Sequence, residues 1–215
     1  MFPRPTIDMS HSDHELVEVR HPQGADFEGL YRIYEEALPA SERKPRAWVE
    51  ALVLRPDYRV MVLKSGGQVL GFLMVFVSAS QEVALLEYLA TDRTVRNRGL
   101  GAALFHQAVE IAGERPLLVE MESEDENTPG HEMRLRRKRF YSRLGCVEIA
   151  NLAYLMPPVG ASPPPRMNLA YHWRGHPAPP NHDEIRLWLH TLYTEVYLRP
   201  ADDPAIEVMM RGLTA

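Results

Sequence analysis

The sequence predicts a mixed α/β fold in which helices flank a mostly antiparallel central sheet of about seven strands, with an extra helix at the C-terminus. Three apolar runs near residues 58–63, 69–77 and 83–90 are joined by short polar turns. This arrangement is typical of an antiparallel meander. A helix and a further strand follow the third run, and such a crossover connection makes the two strands parallel. The sheet is therefore expected to be mixed.

The remaining elements follow from the spacing of apolar residues. Before the meander, the periodicity predicts a short strand at 16–19, a helix over 26–38 with Asp26 as its N-cap, and a helix over 44–54 with Trp48 buried. Beyond the meander, the pattern predicts helices over 99–112 and 132–144, strands near 116–121, 146–156 and 166–173, a long amphipathic helix over about 182–198 and a short helix after Pro204.

Composition limits the classes of function. The chain has 215 residues with 24 Lys and Arg against 29 Asp and Glu, a formal net charge of -5. This balance argues against an electrostatic binder of nucleic acid or membranes. Cys146 is the single cysteine, so an intrachain disulfide is impossible. Residues 1–13 lack the apolar core of a signal peptide, and no apolar run approaches the roughly 18–20 residues of a membrane helix. We therefore expect a cytoplasmic protein.

One short segment has the character of an anion site. Arg96-Asn97-Arg98-Gly99-Leu100-Gly101 lies between an apolar strand and a helix. Glycines without Cβ let the backbone approach a ligand closely, and the start of a helix offers free N–H groups with a partial positive charge. Together with the arginines, this pattern favours a pyrophosphate ligand.

Three other interpretations of this segment compete with a pyrophosphate site. A glycine-rich turn with solvated arginines remains open on these residues alone. A dinucleotide-binding loop requires a different glycine spacing after the first strand of a parallel sheet, whereas the strands here are antiparallel. A nucleoside-triphosphate loop requires Gly-Lys-Ser/Thr, which is absent here.

A second motif gives the loop a family context. An R-x-x-G-x-G pattern after an antiparallel meander and before a helix resembles the acyl-CoA-binding motif of the GNAT superfamily. Downstream, Phe140-Tyr141 followed by Gly145 is similar to the segment that ends a later core helix of that superfamily. The resemblance covers roughly residues 58–156 and departs from the pattern at Cys146, where an aromatic residue is usual. It implies the GNAT fold, with a domain over 14–175, a frayed or disordered segment over 1–13 and a helical extension over 176–215 packed on the domain.

The resemblance also implies a co-substrate and the residues that hold it. The co-substrate is acetyl-CoA, and no metal is expected. The end of the strand before the loop would pair with the pantetheine arm, and the Leu89 N–H would stabilise the oxyanion. The implied binding residues are Leu89, Ala90 and Thr91 for the pantetheine arm, and the backbone N–H groups of Arg96, Asn97, Arg98, Gly99, Leu100, Gly101 and Ala102 for the pyrophosphate.

Three side chains are candidates for proton transfer. Tyr141 is the candidate acid, because the family places this hydroxyl near the departing sulfur and a phenol can donate to a thiolate. Glu87 interrupts an apolar strand and, by alternation, shares a face with Leu89 and Thr91. It is either a base or a carboxylate that faces solvent or pairs with an arginine. Glu120, which shares a face of the next strand with Glu122, is the second candidate base, and these two carboxylates could equally attract a cationic amine.

These expectations define two hypotheses of function. The first is an N-acetyltransferase that moves an acetyl group from acetyl-CoA to a primary amine of a small molecule or peptide, without nucleic-acid or membrane partners. The alternative is a non-catalytic acyl-CoA-binding or regulatory protein on the same fold. A homodimer is also open, because the aromatic helix near the C-terminus could cover its own core or that of a partner.

Overall fold

A seven-stranded sheet organises the chain. The structure is a computed structural model that describes residues 14–80, 82–124, 130–159, 163–176 and 178–213, so the segment 1–13 predicted to be frayed lies outside the described residues. The strands are β1 (His14–Glu18), β2 (Tyr58–Ser65), β3 (Gln68–Val77), β4 (Ala84–Thr91), β5 (Leu117–Glu122), β6 (Val147–Glu148) and β7 (Met167–His172), in the spatial order β1-β2-β3-β4-β5-β7-β6. The helices are α1 (Ala25–Ala37), α2 (Arg46–Leu54), α3 (Leu100–Ala112), α4 (His131–Arg143), α5 (His182–Thr191) and α6 (Pro204–Leu213), and a π-helical turn (Leu192–Val196) follows α5.

The predicted mixed, mostly antiparallel sheet is confirmed. Strands β1 to β4 form the antiparallel meander, and β7 pairs antiparallel with both β5 and β6. Strands β4 and β5 are parallel and pair over three positions, from Ala84 with Leu117 to Leu86 with Val119. Beyond Leu86, β4 continues to Thr91 paired with β3 alone. The two parallel strands therefore separate at the C-terminal end of β4.

A β-bulge at Glu87 overturns one prediction about this strand. Met74 of β3 pairs with Tyr88, whereas Val75 pairs with Leu86, so Glu87 is an extra residue in β4. The alternation of side chains shifts by one at the bulge. Glu87 contacts Tyr58 and lies on the same sheet face as Tyr88, while Leu89 packs on the opposite face. The prediction that Glu87 shares a face with Leu89 and Thr91 is therefore wrong.

Helices cover both faces of the sheet. On one face, α1, α2, α5 and α6 pack against the strands, with Tyr34, Val49, Trp188 and Met209 among the buried side chains. On the other face, α3 and α4 enclose a second core around Phe105. Helices α1, α2, α3, α5 and α6 each bury an apolar stripe, as the helical periodicity predicted, whereas the buried side chains of α4 are Arg134 and Tyr141.

Four local predictions need correction. The strand expected over 146–156 is only Val147–Glu148, because the following chain bonds to the C-terminal extension: Leu155 accepts a hydrogen bond from the Tyr193 hydroxyl and donates its N–H to Met209 Sδ at 3.2 Å. The helix expected over 182–198 is α-helical only to Thr191 and then widens into the π-helical turn. Trp48 is exposed, and its neighbour Val49 is buried instead. The N-cap of α1 is Gly24, with Asp26 inside the first turn.

Candidate active site

The predicted site residues meet in one cavity. The cavity has a volume of about 580 Å³ and lies where β4 and β5 separate, so it reaches from one face of the sheet to the other. Glu87, Glu120 and Tyr141 line it, together with the predicted binding residues Leu89, Ala90, Thr91, Arg96, Asn97, Gly99, Leu100, Gly101 and Ala102. Arg98 lines a neighbouring hollow of about 290 Å³ instead.

The glycine loop presents free backbone donors to the cavity. Gly99 precedes α3 in the left-handed region at φ 82°, a conformation that favours glycine. The first bond of the helix is donated by the Ala103 N–H to the Gly99 carbonyl at 3.1 Å. The N–H groups of Leu100, Gly101 and Ala102 therefore lie before the helical ladder begins. A Cβ built on Gly99 meets no atom within 4 Å, so open space lies above this turn.

Asp92 fixes the approach to this loop. Its carboxylate accepts hydrogen bonds from the Thr94 N–H at 2.9 Å and the Thr94 hydroxyl at 2.6 Å, and from Arg32 Nη2 at 2.7 Å. The bonds from Thr94 and Arg32 outweigh burial and hold the pKa of Asp92 at about 2. Further along, Asn97 adopts φ 65° and accepts a bond from Arg136 of α4 at 2.6 Å. Side chains of α1 and α4 thus hold both ends of the loop.

Tyr141 lies on the α3 and α4 side of the cavity. Its ring packs edge-on against Phe105 at 5.7 Å and Phe140 at 5.0 Å between ring centroids. Burial raises the pKa of Tyr141 to about 12, with Arg137 opposing the shift and Cys146 adding to it. The phenol therefore stays protonated at neutral pH and can donate a proton.

Glu87 is a paired carboxylate, and its partner is a lysine. Lys44 Nζ forms an ion pair with Glu87 Oε1, and the Tyr58 hydroxyl donates to Glu87 Oε2 at 2.7 Å. The side chains of Lys44 and Glu87 are only 5% and 4% exposed. Of the two alternatives for Glu87, the structure matches a paired carboxylate, although the cation is not the expected arginine.

Lys44 itself carries a buried positive charge. Burial lowers the pKa of Lys44 to about 8, with Glu120 opposing the shift and Arg55 adding to it. A pKa of about 8 leaves the ammonium mostly protonated at neutral pH. The ammonium also lies 5.6 Å from the ring centroid of Tyr88 and 6.0 Å from that of Tyr197. Such contacts with aromatic faces stabilise a desolvated cation.

Glu120 lies on the opposite face of the sheet from Tyr141 and is surrounded by phenols. The Tyr197 hydroxyl contacts both carboxylate oxygens, at 2.6 and 2.7 Å, and the Tyr154 hydroxyl donates to Oε1. Burial raises the pKa of Glu120, while these hydroxyls and Lys44 oppose the shift. Unlike Glu87, Glu120 has no direct ion pair among the described residues, and its nearest partners are neutral hydroxyls.

Sequence reasoning missed the groups that surround the two glutamates. Lys44, Tyr58 and Tyr154 lie on three separate segments, and each reads in isolation as a solvated or core residue. Asp92 had a detectable pattern, since an aspartate two residues before a threonine at a strand end is typical of a side-chain-capped turn. No sequence pattern signals the ion pair of Glu87 with Lys44, because 43 residues separate the partners.

The comparisons with known proteins agree with this architecture. The model of the acetyltransferase (GNAT) family matches residues 27–145. No curated protein matches the chain. Among solved structures, a GNAT-family protein from Bacteroides thetaiotaomicron has a TM-score of 0.66 at 22% identity over 80% of this chain and 91% of that one. The ribosomal-protein-S18-alanine N-acetyltransferase from Escherichia coli has a TM-score of 0.56 at 16% identity, covering 77% and 96%. Arabidopsis thaliana NAA60 in complex with acetyl-CoA also has 0.56, at 14% identity, covering 76% and 99%.

The mixed sheet with its separated parallel strands and glycine-bounded helix is the architecture of a GNAT acetyltransferase domain. The chain belongs to the GNAT acetyltransferase family, as the glycine loop and Phe140-Tyr141 predicted, and it is an N-acetyltransferase. Within the described ranges, no helix is both long and apolar enough to cross a membrane. In the same residues, no group of three or more His, Cys, Asp or Glu side chains is placed to hold a metal ion.

Proposed function

We propose that this enzyme transfers the acetyl group of acetyl-CoA to a primary amine of a small molecule or peptide, with Glu120 as general base and Tyr141 as general acid. One observation carries the proposal. The same cavity brings together the glycine loop, the end of β4 that has no β5 partner, the Tyr141 phenol and the Glu120 carboxylate. A cytoplasmic location remains a prediction from the sequence.

The residues present fit the co-substrate. The free N–H groups of Leu100, Gly101 and Ala102 and the space above Gly99 suit a pyrophosphate. Beyond Leu86, β4 has an edge without a β5 partner, and an extended amide-bearing arm can add to such an edge as a strand does. This edge includes Leu89, Ala90 and Thr91, and the Leu89 N–H is the proposed oxyanion donor by resemblance to the family.

The acceptor enters from the face of the sheet that is opposite Tyr141 and covered by α1, α2, α5 and α6. That side of the cavity is lined by the carboxylates of Glu42 and Glu120 and by the apolar side chains of Leu38 and Met156. Burial raises the pKa of Glu42, with Arg137 opposing this shift and Glu122 adding to it. An acidic, partly apolar wall favours an acceptor that arrives as an ammonium ion and then loses a proton.

Protons leave the amine through Glu120 and reach the sulfur from Tyr141. The ammonium gives its proton to Glu120, and the neutral nitrogen then attacks the thioester carbonyl. The new C–N bond gives a tetrahedral oxyanion, to which the Leu89 N–H donates. Glu120, having passed the first proton to solvent, takes the second proton of the nitrogen, and the C–S bond breaks as the oxyanion collapses to the amide. Tyr141 gives its proton to the departing sulfur and regains one from solvent. Glu120 is preferred to Glu87 as the base because Lys44 already neutralises Glu87.

Thiol release from acetyl-CoA tests this proposal. The purified protein is incubated with acetyl-CoA and a panel of small amines and of peptides with free N-termini or lysines. On an active acceptor, Glu120→Gln is expected to lower kcat by about 10²–10⁴-fold, and Tyr141→Phe to lower it with little change in acetyl-CoA affinity. Acetyl-CoA binding without turnover on any amine would favour the non-catalytic alternative. Full activity of both variants would refute the assigned roles.

A further inference from the structure

The two tyrosines that bond to the Glu120 carboxylate lie outside the part of the chain that matches the family. The family match ends at residue 145, whereas Glu120 accepts hydrogen bonds from Tyr154 and Tyr197. Tyr197 belongs to the C-terminal extension and contacts both oxygens of the carboxylate. It also lines the cavity. The extension therefore reaches a group inside the family domain that is proposed to act on the substrate.

The π-helical turn determines where Tyr197 lies. The Tyr197 N–H donates to the carbonyl of Leu192, five residues earlier, at 3.0 Å. A π-helical turn holds one more residue than an α-helical turn, so it changes the direction in which the following side chains point. Such turns occur frequently at functional sites. Here Leu192 and Val196 pack in the core, and the next residue contacts Glu120.

The contact has an electrostatic consequence. A phenol hydroxyl bound to a carboxylate stabilises the ionised form, which is the form that accepts a proton. The charged and titratable groups around Glu120 come from several elements, and of these Tyr197 is the one in hydrogen-bond contact with both oxygens. The others are Lys44 before α2, Tyr58 on β2, Tyr88 on β4, Tyr154 in the chain after β6 and Tyr193 in the π-helical turn.

We propose that the C-terminal extension completes the active site through Tyr197, a positioning residue that orients Glu120 and keeps it ionised as the base. This inference rests on the proposed function, because it assumes that Glu120 accepts the proton of the amine. Tyr197 transfers no proton itself. Its effect is therefore expected in the pH dependence of the reaction.

Tyr197→Phe and Tyr193→Phe form a matched pair of variants. Both remove one phenol hydroxyl from the same turn, but the Tyr193 hydroxyl donates to the Leu155 carbonyl, which does not titrate. In a profile of kcat/KM against pH, Tyr197→Phe is expected to move the acidic limb to higher pH by about one unit. Tyr193→Phe should leave the limb in place. If Glu120→Gln abolishes this limb and Tyr197→Phe does not move it, the inference fails and the proposed function stands. If Glu120→Gln keeps the limb, the base assignment fails and the inference with it.

Unfolding measurements give a readout that needs no substrate. Because the folded-state pKa of Glu120 is raised, its stabilising contribution is present below the unfolded pKa and is lost as pH rises through the folded one. Losing the Tyr197 hydroxyl raises the folded pKa further. Tyr197→Phe should therefore raise the unfolding equilibrium constant more at pH 8 than at pH 5. The difference between the two increases is up to about tenfold for each unit by which the variant raises the folded-state pKa of Glu120.

The control variants make this measurement specific. Tyr193→Phe should destabilise the protein equally at both pH values. In a Glu120→Gln background, the pH dependence caused by Tyr197→Phe should vanish. A destabilisation by Tyr197→Phe that is the same at both pH values would overturn the proposal.

Discussion

Replacement of Lys44 with methionine tests the buried ion pair with Glu87 directly. Methionine keeps most of the volume of the lysine side chain, so the cavity contribution is small and the lost charge dominates. The change leaves the Glu87 carboxylate, whose side chain is 4% exposed, with the Tyr58 hydroxyl at 2.7 Å as its remaining described partner. Removing one member of a buried pair costs about 3–5 kcal/mol, because the other charge stays buried without compensation.

A double-mutant cycle separates the pair from the effect of burial. Lys44→Met with Glu87→Gln removes both charges and should cost about 1–2 kcal/mol less than the sum of the single changes. The control is Lys138→Met, which breaks ion pairs with Glu124 and Glu148 at a lysine whose side chain is 39% exposed, and it should cost no more than about 1 kcal/mol.

Urea unfolding at pH 7 measures all of these variants, provided that the m-values agree. If Lys44→Met costs no more than Lys138→Met, or if the cycle shows no coupling, the pair is not desolvated and the account of Glu87 is wrong.

Three further predictions concern the cavity and its loop. Gly99 and Gly67 have φ angles of 82° and 81°, and a Cβ built on either meets no atom within 4 Å, so Gly99→Leu and its control Gly67→Leu should each cost about 1–2 kcal/mol in thermal unfolding. Calorimetry should show acetyl-CoA binding that is weaker by about tenfold or more for Gly99→Leu alone. Gly71→Ala places a Cβ 2.9 Å from the Ala90 carbonyl oxygen and 2.9 Å from Leu104 Cδ1, so it should destabilise by about 1–3 kcal/mol and weaken acetyl-CoA binding; equal affinity would show that β4 does not transmit the clash. Asp92→Ala should destabilise at neutral pH, and because the folded pKa of about 2 lies below the ordinary 3.8, its difference from the wild type should shrink as pH falls from about 4 toward 2; a constant difference in acid unfolding would contradict the role of the carboxylate.

The predictable parts of the structure are those written in short, contiguous stretches of sequence. The meander followed from three apolar runs, and the glycine loop from its position between a strand and a helix. The same locality explains why Tyr141 was identified, since it belongs to a motif at the end of one helix. The roles assigned to these residues stay predictions until variants are measured.

The parts that failed depend on partners far away in the chain. No pattern within β4 distinguishes a strand with a bulge from a regular one, so the face of Glu87 was misassigned. The apolar run after Val147 had the composition of a strand, but beyond Ile149, whose N–H still donates to the Leu169 carbonyl, the backbone groups of Leu155 bond to the extension. Lys44 was overlooked because its burial depends on the fold around Glu87, not on its own neighbours.

The opening in the sheet gives a physical reason for the role proposed for the extension. The separation of β4 and β5 opens the cavity between the two faces of the sheet and leaves Glu120 on a stretch of β5 that pairs with β7 but has no β4 partner. A carboxylate facing open water would keep a pKa near its ordinary value and would accept a proton poorly at neutral pH. Tyr154 and Tyr197 enclose this carboxylate while supplying hydrogen bonds that limit the cost of its charge. Enclosure and hydrogen bonding by Tyr154 and Tyr197 are therefore opposing effects on the pKa of Glu120. On the proposal that Glu120 is the base, their balance sets the pH at which it acts.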